Sequence, residues 1–138
     1  MNLEIWRPFF SAAALWNFAG AGVAFWDLER NACEFYLTPD TALHPILFVN
    51  LKILWWTVLT FGIGYLMVAW QPAKNHGLLL IAALGKLGVG FLWVKGYWQG
   101  LVSEIALLGG VGDILFAVAF LFFLKQFHFG QTETGLSP

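Results

Sequence analysis

Charge is what this chain has least of. Asp, Glu, Lys and Arg make up 11% of its 138 residues, against about 25% in an ordinary soluble domain. The basic residues are scattered singly, with no basic stripe, which excludes the electrostatic footprint of a nucleic-acid binder. Cysteine is reduced to one, Cys33. No intramolecular disulfide can form, so the paired-thiol redox chemistry of disulfide-forming membrane proteins is excluded for a single chain. Cys33 itself reads as a small apolar filler. Catalytic signatures are missing too. The sequence has no nucleophile elbow, phosphate loop, close carboxylate pair or His-x-x-x-His spacing. His44, His76 and His128 fall at predicted helix ends. No catalytic residue, metal site or cofactor is expected, and the chain reads as a non-enzyme.

What is present is apolar. Hydrophobic residues make up 59% of the chain, and they gather into runs long enough to make lipid the solvent. Four spans are predicted, at about Phe9 to Trp26, Ile46 to Trp70, Gly77 to Tyr97 and Leu101 to Leu124. Each crossing needs about 17–25 residues. The first run is read as a retained helix, because no small-x-small cleavage site follows it. Gln71-Pro72-Ala73-Lys74-Asn75-His76 separates the second span from the third. Tyr97-Trp98-Gln99-Gly100 is a tight turn, and a link that short makes the third and fourth spans antiparallel neighbours. The fold class is therefore all-α: one four-helix transmembrane domain over residues 1–129, with a disordered polar tail over 130–138.

The long link from Asp27 to His44 carries a pattern of its own. Leu28, Ala32, Phe35 and Tyr36 recur at helical spacing, while Glu29, Arg30 and Glu34 take the other face. Asp27 suits an N-cap and Thr38-Pro39 a stop. A short amphipathic helix lying on the membrane surface is expected. Arg7, Lys74 and Lys125 fall on one side of the four-span arrangement, and Arg30 and Lys95 with Asp27, Glu29, Glu34 and Asp40 on the other, a small bias that places both termini in the cytoplasm. Trp6, Trp26, Trp70 and Trp98 lie at predicted ends, in the headgroup layer. Trp16, Trp55, Trp56 and Trp93 lie deeper, and either pack or wall a bound hydrophobic ligand.

Inside the spans, each charge costs about 2.5–3.5 kcal/mol on insertion scales and so needs a partner. Lys86 and Asp113 lie at equal distances before and after the turn, hence at one depth in an antiparallel hairpin. The same register sets Gly90 against Gly109 and Ala82 against Ala117. Small residues then flank both charges at four-residue spacing and let the backbones approach. Lys95 meets Glu104 in this register, as an interfacial pair. Asn17, between Ala13 and Ala21, sits near mid-depth and can reach Lys86 and Asp113. Asn50 and Lys52 lie in the outer part of the second span, with Asp27 and the acidic loop as partners for Lys52.

The combination of Asn17, Gly62-Ile63-Gly64-Tyr65, Pro72, Gly85-Lys86 and Gly112-Asp113 resembles a group of uncharacterised small bacterial four-helix inner-membrane proteins, loosely DoxX-like in architecture. The resemblance runs from the first span to the fourth. It implies a bacterial inner-membrane location, supplies no activity, and adds Tyr65 to Asn17, Lys86 and Asp113 as positions of interest. The expected function is a small non-enzymatic membrane protein among membrane lipids, either an accessory subunit of a membrane complex or a binder of a lipid-like ligand, as a homo-oligomer or within a larger assembly. The alternative is a small proton- or ion-linked transporter using the Lys86–Asp113 pair.

Overall fold

The computed structural model describes residues 3–37 and 45–133, with side chains as far as His128. Every secondary-structure element among the described residues is a helix. The order is a 3-10 turn at Leu3–Ile5, α1 at Trp6–Trp26, α2 at Leu28–Tyr36, α3 at Pro45–Trp70, a 3-10 turn at Pro72–Lys74, α4 at His76–Trp98 and α5 at Glu104–Glu133. Four segments are long and apolar enough to cross a membrane: Leu3–Trp26, Pro45–Trp70, His76–Trp98 and Glu104–His128. Large apolar side chains such as Ile53, Ile81, Leu84, Leu92 and Leu115 cover the outside. A helix satisfies its own backbone, so an apolar coat of this kind fits hydrocarbon.

Local chemistry sets the breaks. Asp27 leaves helical geometry at φ −149° and ψ 84°, ends α1, and accepts from the Arg30 amide as N-cap of α2. Leu37, left-handed at φ 47°, ends α2. Gly100 takes φ 69° in the turn after α4, where a side chain would be strained. Ser103 then caps α5: its Oγ accepts from the Ala106 amide at 3.5 Å.

Several boundaries differ from the sequence expectation. The first span begins at Leu3 and not Phe9, because Pro8 lies in the first turn of α1, where a missing N–H breaks no bond. The fourth begins at Glu104 and not Leu101: Val102 is buried beside Gly96, and Ser103 supplies the cap. Helix α5 also continues through Gly130–Glu133, residues assigned to the polar tail. The rest of that tail, and Thr38, Pro39, Asp40 and His44, lie outside the described residues.

Helix α1 packs along α3, and α4 packs along α5. The α4–α5 seam runs from Gly96 beside Val102, through Gly90 against Gly110, to Lys86 and Asp113. Lys86 and Asp113 pair as expected, but the glycine contact above them is offset by one residue. Gly90 meets Gly110, while Gly109 lies under the Trp93 indole. A ring that size needs a missing Cβ beneath it, so the neighbouring glycine takes the backbone contact. On the other pair, Gly62 makes room for the Phe18 ring, whose Cε1 sits 2.6 Å from where a Cβ would be.

The two pairs meet chiefly through rings. Trp6, Phe9 and Phe10 of α1 pack against Phe116, Phe120 and Phe123 of α5, with centroids 5.1–6.0 Å apart. Trp6, at the start of α1, is partly buried against this core, whereas Trp26, Trp70 and Trp98 are well exposed at helix ends. His76 stacks on Phe127 at 5.6 Å. Leu3, Pro72–Lys74 and Phe127 therefore share one end of the molecule, here the terminal end. At the opposite end α2 folds back over the bundle, held by the Ser103 amide donating to the Phe35 carbonyl at 2.9 Å. It caps the helices and does not merely lie beside them.

Candidate functional site

Between the two helix pairs lies a slot of about 410 Å³. It lies between the packed terminal half, where Phe10, Tyr65, Val68, Leu79, Phe120 and Phe123 are fully buried, and the Trp55–Trp93 contact at the α2 end. There the walls are Ala19, Gly20 and Val23 of α1, Leu54, Val58 and Phe61 of α3, Val89 of α4, and Ile105 and Leu108 of α5. Trp16, Trp55 and Trp93 line the slot as well. Trp56 points outward, beside Phe25.

The α2 end is closed by three rings. Phe35 sits 6.0 Å from Trp55 and 5.9 Å from Trp93, and those two indoles are 6.3 Å apart. Leu108, Ile105 and Val23 line the slot and are also more than half exposed on the outside. The slot therefore opens sideways between α1 and α5, and the exposed lining residues Thr57 of α3 and Gly85 of α4 open it on the α3–α4 side as well.

The polar groups gather at the deep end. Lys86 of α4 donates from Nζ to Asp113 Oδ1 of α5 and, at 3.1 Å, to Asn17 Oδ1 of α1. Asn17 Nδ2 donates to the Val58 carbonyl of α3 at 2.9 Å. One cluster thus ties all four long helices together. The Lys86 ammonium also lies 5.6 Å from the Tyr65 ring centre and 5.5 Å from that of Phe116, distances at which a cation is attracted to a ring face. Lys86 is 7% exposed and Asn17 4%, but the Asp113 side chain keeps 21% of its surface. All three line the slot, and Asp113 is the least buried of them.

Other residues singled out by sequence fall elsewhere. Asn50 and Lys52 are exposed on α3 and do not line the slot. Lys95 and Glu104 are exposed on either side of the Gly96–Val102 contact. Among the described residues the ion pairs are Arg7–Glu4, Arg30–Glu34 and Lys86–Asp113, so the interfacial Lys95–Glu104 pair is not formed, nor is one between Lys52 and Asp27. Water competes for long exposed side chains and leaves little gain in holding them together. No group of three His, Cys, Asp or Glu side chains that could hold a metal occurs among the described residues.

Sequence reasoning missed Phe35, Phe61, Phe116 and the Val58 carbonyl. The helical pattern of residues 28–36 marks Phe35 as an apolar-face residue, but which surface that face covers depends on how the chain turns at Asp27. No family model, curated protein or solved structure matches the chain.

Proposed function

We propose that this multi-pass membrane protein binds a lipid-like ligand in the slot between its helix pairs and performs no chemistry on it. The observation that carries this reading is the slot itself: aromatic and aliphatic walls, side openings toward lipid, and a few polar groups at its deep end. Pockets for apolar ligands are built in this way, with volumes of about 300–1,000 Å³. In this reading the fold is a four-helix transmembrane bundle with α4 and α5 as a tight antiparallel hairpin. It sits in a bacterial inner membrane with both termini in the cytoplasm. It acts as a homo-oligomer or as an accessory subunit that presents its ligand to a larger membrane complex.

The transport alternative rests on the partial opening of Asp113 to the slot. Against it stands the terminal half of the interior, where Tyr65 is the one polar side chain among the large fully buried residues Phe10, Tyr65, Val68, Leu79, Phe120 and Phe123. Native mass spectrometry of the protein released from its own membrane tests the binding reading. The expected spectrum holds a lipid-mass adduct that a slot-filling Val89→Trp variant loses while keeping its melting temperature. A spectrum with no adduct, in a protein that takes up none when lipid is added back, overturns it.

A further inference from the structure

We infer that the slot selects a single-chain amphiphile with an uncharged, hydroxyl-type head, and that this head docks on the Asp113 carboxylate. The inference rests on the slot being a ligand site and concerns which ligand it takes.

Charge balance carries the argument. Lys86 and Asp113 are the charged residues that line the slot, and they pair with each other. Their sum is zero wherever the shared proton sits. A ligand carboxylate drawn to Lys86 would leave one net negative charge at the centre of four apolar helices. A ligand amine drawn to Asp113 would leave one net positive charge there. Either excess is costly in a low-dielectric interior without a further partner. A hydroxyl adds no charge, and it donates to an ionised acceptor, a bond stronger than one between neutral groups.

Access and capacity point the same way. Asn17 is engaged at both ends of its amide, by Lys86 and by the Val58 carbonyl, whereas Asp113 lines the slot and is the least buried of the three. The side openings mean a ligand enters from hydrocarbon, and bringing an ionised head that deep is costly. At about 410 Å³ the slot is near the small end of ligand pockets, which suits one chain and not a two-chain phospholipid.

The test uses three quenchers that share a chain and differ in head: ω-bromodecanol, ω-bromodecanoic acid and ω-bromodecylamine. Each is titrated into the full chain in detergent at neutral pH, and tryptophan fluorescence is read. The bromine of a bound ligand quenches the slot indoles, and a Trp55→Phe/Trp93→Phe variant locates the effect. The alcohol is expected to bind about tenfold tighter than the acid or the amine, equivalent to about 1.4 kcal/mol. Acidification that neutralises the acid should raise its affinity toward that of the alcohol. In the Lys86→Met/Asp113→Leu variant the alcohol should lose its docking bond and bind no tighter than headless bromodecane, while the acid and the amine stay disfavoured by burial of their charge. If the acid or the amine binds as tightly as the alcohol at neutral pH, the inference is wrong and the slot remains a ligand site. If none of the three quenches the slot indoles, the binding reading fails as well.

Discussion

Lys86 stays in the middle of an apolar helix because its surroundings replace water. Asp113 and Asn17 accept two of its three protons, and the faces of Tyr65 and Phe116 flank the ammonium. Removing one member of such a set is worse than removing the pair, because the survivor keeps the cost of desolvation without its partner. Asp113→Asn should therefore destabilise the protein by about 3–5 kcal/mol, while Lys86→Met/Asp113→Leu should be near neutral or stabilising. Thermal unfolding in detergent reads both, and a double variant less stable than Asp113→Asn would refute the argument. Asn17→Leu should cost less, about 0.6 kcal/mol and at most about 1.7 kcal/mol, the range for interhelical hydrogen bonds in membranes. Much of this cluster is legible in the sequence. Equal distance from the turn pairs Lys86 with Asp113, and mid-depth placement brings Asn17 near. The Val58 carbonyl and the Phe116 ring are not legible, since both depend on how α1 crosses α3 and α5, which no spacing along one helix encodes.

At the scale of elements, helix α4 carries two kinds of glycine, and the sequence does not distinguish them. Gly90 is buried against the backbone of α5, and a Cβ there would meet the Gly110 carbonyl oxygen at 2.6 Å. Gly88 has nothing within 4 Å of the same point. Neither backbone at the Gly90 contact can swing aside like the end of a side chain. Gly90→Ala should force α4 and α5 apart and cost about 1–3 kcal/mol, as overpacking does. Gly88→Ala should be neutral or stabilising by up to about 1 kcal/mol, through the better helix propensity of alanine. Comparing the two melting temperatures checks the seam, and equal effects would mean that α4 and α5 are not in this contact. The small residues around Lys86 and Asp113 reveal that such a seam exists. Its one-residue offset depends on Trp93 choosing Gly109 as its seat, a matter of ring packing that periodicity does not report. Helix α2 behaves likewise. Its amphipathic pattern and its Asp27 cap are plain in the sequence, but the reason for its apolar face, closing the slot with Phe35, appears only in three dimensions.

The whole molecule has a polarity along its axis. The terminal end is solid with aromatic packing and carries Arg7, Lys74 and Lys125 on its elements, and the α2 end holds the slot beneath a cap bearing Glu29, Arg30 and Glu34. Basic residues in short loops are retained on the cytoplasmic side during insertion, so the solid end should face the cytoplasm and the capped end should face out. Cysteine scanning tests this on intact cells. Cys33 lies in α2 and is partly exposed, so it must first be replaced by Ala. On that background Glu34→Cys should label with a membrane-impermeant maleimide, whereas Lys74→Cys should label only after the membrane is opened. Removing Lys74 also removes part of the orienting signal, so Gln71→Cys, in the same loop with the charge intact, is the fairer probe of that side. Labelling of Gln71→Cys from outside with Glu34→Cys protected would invert the orientation. The axis would then bring a ligand's access from the opposite leaflet, because the side opening between α1 and α5 lies in the α2 half of the molecule. Orientation and ligand supply are thus one question: an outward-facing cap means that the slot samples lipid from the outer leaflet of its membrane, with the packed terminal half closing it from the cytoplasm.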